Sequence, residues 1–202
     1  MSRDLDRRRV SLRAGLVLLL FAISVLLPAG CAKGPVGNSL HIKSPVTGEK
    51  DILVKSGYAF PVTKTFTDTA GKITTAVSYR TYIANYDLDA GNFAMTLDKP
   101  LTSDDQLRVV FSLVGEQGGN EKTAPKAGTY SAKADKFMKV EDVAIISRKG
   151  GADSKVWLDR STLSGEVKLT SASASSISGD VDLNAGDTVI KGSFAAKVLA
   201  RK

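Results

Sequence analysis

The chain has 202 residues, with 28 Lys and Arg against 21 Asp and Glu, a formal net charge of +7, and a single cysteine and a single histidine. One thiol and one imidazole cannot build a disulfide framework, a Cys/His metal cluster or a redox centre, so no cofactor is expected. Residues 1–30 hold five arginines and two aspartates, so +3 of the +7 belongs to that leader and +4 to the rest; so small an excess, with Lys and Asp interspersed, argues against a nucleic-acid partner.

The leader sets Arg7, Arg8 and Arg9 before an apolar run from Leu16 to Leu27, which ends in Leu27-Pro28-Ala29-Gly30-Cys31. The run is shorter than the ~20 residues a spanning helix needs, and the small residues before Cys31 suit a signal peptidase. The segment resembles the lipobox of bacterial lipoproteins, with Pro28 standing three residues before the cysteine where that family usually has Leu. The resemblance covers only the first thirty or so residues. It implies cleavage between Gly30 and Cys31 and a diacylglycerol on the Cys31 thiol; the consecutive arginines hint at the twin-arginine route, but Ser11 breaks the apolar positions expected after them, so Sec export is expected. Ala32, not Asp, follows the cysteine, which resembles an outer-membrane address. It names a membrane anchor and no activity.

Between Ala32 and Lys50, Gly34, Pro35, Gly37, Pro45 and Gly48 lie among small and polar residues and predict a flexible tether. The expected organisation is therefore a signal peptide over 1–30, the lipidated cysteine and linker over 31–50, and a single all-β domain over 51–202, long enough for one core.

From Asp51 onward the apolar period is two. Ile73, Val77, Tyr79 and Ile83 share a parity, as do Phe93, Met95 and Leu97, and then Leu107, Val109, Phe111 and Leu113. Each set predicts the buried face of a strand. Turn residues separate them: Ala70-Gly71 in a hairpin joining 62–69 to 72–84, Ala90-Gly91-Asn92, and Lys99-Pro100 with Ser103-Asp104-Asp105. At 133–142 the pattern leaves open a helix, through Ala134, Phe137, Met138 and Val140, or a short turn after a strand at 129–132.

Near the C-terminus one pattern recurs: Leu163-Ser164-Gly165-Glu166-Val167-Lys168-Leu169, then Ile177-Ser178-Gly179-Asp180-Val181-Asp182-Leu183, then Ile190-Lys191-Gly192-Ser193-Phe194-Ala195-Ala196. The spacing suits an antiparallel meander with turns at 173–176 and 184–187. In every copy the glycine has the parity of the apolar residues, which lets a neighbour approach and the strand bend. Together the segments predict an all-β fold of about nine to eleven strands, an antiparallel β-sandwich or a rolled, barrel-like sheet.

Catalytic constellations are thin. His41 falls in the expected tether, where nothing rigid would orient it as a base. The chain has no G-x-S-x-G elbow, Ser-x-x-Lys nucleophile, phosphate-cradling loop or H-E-x-x-H. A carboxylate hydrolase would need two acids about 5–10 Å apart in a cleft. Asp87-Leu88-Asp89-Ala90-Gly91-Asn92 alternates oxygen donors as calcium loops do, but Gly91 comes one place early and Asp98, on an expected strand at 93–98, stands where a bidentate Glu belongs. A turn whose acids bond their own backbone is expected there. Arg80, Tyr82 and Tyr86 have the parity opposite to Val77 and Ile83 and predict an exposed aromatic row that could dock a sugar or a protein. The polar loop from Gly115 to Gly128 is a second candidate surface. Trp157 has no place fixed by parity.

These readings converge on a lipid-anchored, non-enzymatic envelope protein, probed best through its interior. A filled core fits an interaction or structural module with an envelope protein or polysaccharide partner. An apolar cavity of ~300 Å³ or more would fit the alternative, a carrier or sensor of an apolar small ligand.

Overall fold

The computed structural model describes residues 38–91 and 97–199. The leader, Gly30 and Cys31, and most of the strand expected at 93–98 lie outside the described residues.

β1 (Ser39–Ser44) buries Leu40 and Ile42 on one face and carries His41 and Lys43 on the other; β2 (Gly48–Leu53) returns antiparallel beside it and buries Ile52. This corrects the expected linker. The folded unit reaches back at least to Ser39, because Leu40, Ile42 and Ile52 give the hairpin an apolar face that the main core accepts. Pro45 and Gly48, which resemble tether residues, punctuate the turn, with Gly48 at φ 67°.

β3 (Ser56–Thr67) and β4 (Ile73–Ala84) form a long hairpin whose turn is organised by Asp68, its carboxylate accepting the amides of Ala70 and Lys72 at 2.9 and 2.8 Å. β5 (Leu107–Gln117) follows, then the short β6 (Gly128–Ser131), β7 (Lys139–Lys149) and β8 (Ala152–Trp157). Residues 132–138 form turns and bends and 139–142 already belong to β7, so of the two readings at 133–142 the short turn is realised and the helix is not. β9 (Ser164–Ala172), β10 (Ser176–Ala185) and β11 (Thr188–Val198) make the expected meander, each antiparallel to the next.

The strands join one sheet in the order β10-β9-β6-β7-β5-β4-β3-β11-β1-β2, with β8 added on β7, and β10 also pairs β11. The sheet therefore rolls into a partial ring. Two of its links are parallel and short: β11 meets β3 only through Lys197↔Tyr58 and Val198↔Ala59, and β6 meets β7 only through Ser131↔Lys139. The expected all-antiparallel arrangement is thus corrected to a mixed one. Between these seams the roll behaves as two facing halves, β3-β4-β5-β7-β8 and β6-β9-β10-β11-β1-β2.

The space between the halves is packed. Val77, Tyr79 and Ile83 of β4, Val109, Phe111 and Leu113 of β5, and Val140, Val143 and Ile145 of β7 face Val167, Leu169, Val181, Leu183, Ile190 and Phe194 across it. β7 keeps its apolar residues inward by bulging at Asp142, whose φ is 52° and whose carboxylate pairs with Arg160. The glycines of the meander, of which only Gly179 is buried, have a sharper function than bending alone. A Cβ at Gly165, Gly179 or Gly192 would overlap the backbone carbonyl of Asp182, Lys168 or Ser39, so in each case the strand alongside passes through the space a side chain would need.

Candidate functional site

β5 is buried without a break from Leu107 to Gly115, which happens when both faces of a strand are covered. The inner face meets the core. The outer face of β4, β5 and β7 lies under residues 85–91 and 97–106, which pack Leu88, Leu97 and Leu101 onto Tyr82, Ala84, Val110, Ala144 and Ile146. Polar contacts fasten this cover. The Ser56 hydroxyl donates to the Tyr86 carbonyl at 2.6 Å and accepts the Leu88 amide at 3.0 Å, Asn85 receives the Leu107 amide at 2.8 Å, and Asp153 receives that of Leu101 at 2.8 Å. Arg148 donates to the Leu101 carbonyl and to Asp153, both at 2.7 Å.

This layer corrects the expected exposed row of Arg80, Tyr82 and Tyr86. Their shared parity is real, but the face they occupy is closed. Tyr82 is wholly buried, its ring stacked 5.8 Å from that of Phe60 and 5.7 Å from the Arg80 guanidinium, and its hydroxyl donates to Asp98 at 3.3 Å. Burial, with the neighbouring Asp98 carboxylate, pushes its pKa up to about 12 against the opposing pull of Arg80. Tyr86 parts from the other two and accepts a hydrogen bond at 3.1 Å from Arg108.

Arg108 is the residue that parity arguments missed. It alternates with Val109 and Phe111 and reads as a solvated position, yet only 4% of it is exposed. The available signal was the run Leu107-Arg108-Val109-Val110-Phe111, apolar on both parities apart from the arginine. Beside it opens a pocket of about 150 Å³ lined by Tyr86, Leu88, Asp89, Lys99, Thr102 and Arg108. Asp89 behaves as expected of a turn, accepting the Gly91 amide at 2.9 Å, and its second oxygen takes the Lys99 ammonium at 2.8 Å. The Lys99 hydrogen bond leads in holding its carboxyl below the usual range. Asn92 of the same string lies outside the described residues. Among the described residues no group of three His, Cys, Asp or Glu side chains is arranged to hold a metal ion.

The other candidates have definite places. The 115–128 loop caps one end of the roll: the Tyr79 hydroxyl donates to the Thr123 carbonyl, and Tyr130 to that of Lys126 at 2.9 Å, around a pocket of about 260 Å³. A groove of about 430 Å³ follows the β3–β11 seam past Val54, Tyr58, Leu88 and Ala195. Trp157 stands half-exposed on β8, the Lys155 ammonium 4.5 Å from its ring. His41 is held on a strand, with Asp51 at 2.8 Å and Glu49 at 3.7 Å, which corrects its assignment to a tether. The acids Asp104 and Asp153 flank Arg148 and secure the β7–β8 turn to the cover. No helix among the described residues is long and apolar enough to cross a membrane.

The outer face of the second half is mainly polar, with Leu53 at the end of β2 exposed on it. One row crosses it from Asp51 on β2 through His41, Lys191 and Asp182 to Glu166 on β9. Fold and surface together define an all-β protein of one rolled mixed sheet, partly covered on one outer side and open and charged on the other. No family model, no curated protein and no solved structure matches the chain.

Proposed function

We propose that the chain is a lipid-anchored, non-enzymatic protein of the bacterial envelope, tied to the outer membrane through Cys31 and working as an interaction module for an envelope protein or polysaccharide. The observation that carries this reading is the packed interior. Phe111 and Phe194 occupy the space in which a carrier would hold its ligand, each at most 1% exposed. The charged outer face of β9, β10, β11 and β1 supports docking, since a flat polar sheet with Lys168, Asp180, Asp182 and Lys191 exposed presents donors and acceptors without a large desolvated patch.

The second reading, a carrier of an apolar small ligand, has the 430 Å³ seam groove in its favour. A photo-crosslinking residue placed at Lys168 or Asp180, and as a control at Thr69 on the distant β3–β4 turn, separates the two in the native envelope. A discrete adduct from the sheet face and none from the turn is expected. No adduct from the face, together with a lipid-extractable molecule copurifying with the protein, would favour the carrier.

A further inference from the structure

Arg108 carries its charge into the layer beneath residues 85–91 and 97–106, and among the described residues no carboxylate lies within ion-pair distance of it. Its Nη1 donates to the Tyr86 hydroxyl at 3.1 Å and to the Lys99 carbonyl at 3.2 Å, both neutral acceptors. Its Nε is buried and has no hydrogen-bond partner. Two acids of the same layer are engaged elsewhere, Asp89 with Lys99 at 2.8 Å and Asp153 with Arg148 at 2.7 Å, and Asp87 at the pocket's border forms no ion pair with Arg108. A buried cation without a paired anion is costly, and buried charges in proteins are as a rule paired. The pocket that Arg108 lines offers the place for the missing anion.

We infer that this pocket binds the carboxylate of a small ligand no larger than one sugar-acid unit, with Arg108 supplying the charge. The planar guanidinium suits a carboxylate, and Gln106, whose Oε1 accepts the Thr102 amide at 2.8 Å and the Thr102 hydroxyl at 3.2 Å, brings its side-chain amide N–H donors to the lining. The exposed carboxylates of Asp87 and Asp89 also border the pocket, so a doubly charged phosphate would meet repulsion there. A monoanion with hydroxyl groups would turn those hydroxyls toward the same aspartates. The inference stands apart from the docking role of the opposite face.

The full chain, purified in detergent, is titrated with sodium glucuronate, glucose and sodium phosphate while the arginine Nε–Hε resonances are followed by NMR, that of Arg108 being identified by its loss in Arg108→Gln. Glucuronate is expected to move the Arg108 signal saturably, and glucose and phosphate at the same concentration to leave it in place. Arg108→Gln is expected to weaken glucuronate binding roughly tenfold or more, read from the surrounding backbone amides. Because removing a buried arginine can also loosen the layer, Gln106→Leu is titrated beside it; this variant keeps the charge and is expected to lose about fivefold. No saturable movement with glucuronate, equal movement with phosphate, or undiminished glucuronate binding by a folded Arg108→Gln protein would overturn the inference.

Discussion

Phe111 of β5 and Phe194 of β11 meet edge to face across the roll, their ring centroids 5.4 Å apart and their planes at 78°. The two strands do not pair with each other. The contact therefore reports the closing of one half on the other, independent of any sheet hydrogen bond. Phe194→Ala should cost about 3–5 kcal/mol, since a ring this buried leaves a cavity its neighbours cannot fill. Lys191→Ala, on the solvent face and three residues away, removes an exposed ion pair with Asp182 at 3.4 Å and should lie within about 0.5–1 kcal/mol of the parent. Urea melts of both variants check the comparison; equal small losses would mean that the halves are not packed on these rings.

Alkali should unfold the domain through its tyrosines. Burial raises the pKa of Tyr79 and of Tyr82 to about 12, and those of Tyr86 and Tyr130 also lie above the ordinary value. A group whose pKa is higher folded than unfolded contributes stability that is complete below its unfolded value, 10.0 here, and is lost as pH rises through the folded one. The expected result is a melting temperature insensitive to tyrosine ionisation up to about pH 9.5 that falls steeply between about 10 and 12. Phenolate absorbance should rise late, together with unfolding. An early rise in an intact protein, accounting for most of the tyrosines near pH 10, would contradict the burial of these hydroxyls.

Gly179 lies inward on β10 between Leu169 and Phe194, and a Cβ there would overlap the Lys168 carbonyl. Gly179→Ala should therefore destabilise by about 2–3 kcal/mol, because main chain must shift to admit one methyl group. Gly71→Ala has open space around its Cβ and only its φ of 79° against it, so a smaller loss of about 1 kcal/mol is expected. Thermal melts of the two variants give the ranking, and a neutral Gly179→Ala would show that the strands lie further apart.

The meander was legible because each of its strands has one wet face: Glu166, Lys168, Asp180, Asp182 and Lys191 alternate with buried residues, and the alternation is the signal. The same rule misled for Tyr82. Its parity separates it from Val77 and Ile83 correctly, but parity says only which side a residue is on. That side is covered because Leu88, Leu97 and Leu101, which follow β4 in the connection to β5, fold back over it. The β1–β2 hairpin was hidden by its composition, since Leu40, Ile42 and Ile52 are too few to mark a core face among Gly, Pro and charge. The parallel seams at Lys197↔Tyr58 and Ser131↔Lys139 have no local signature at all, because they follow from how the roll closes. Arg108 was overlooked for the same physical reason as Tyr82.

Anchoring through Cys31 is measured most directly by metabolic labelling with a fatty-acid probe, followed by membrane fractionation of the native protein and of Cys31→Ala. Each buried CH₂ of a lipid chain holds a protein to the bilayer by about 0.8 kcal/mol, so two whole chains outweigh what the +4 charge of residues 31–202 can supply. The native protein should carry the label and sediment with membranes, and Cys31→Ala should be unlabelled and soluble with an unchanged melt. A native protein without label, or a Cys31→Ala protein that stays with the membranes, would contradict the anchored module.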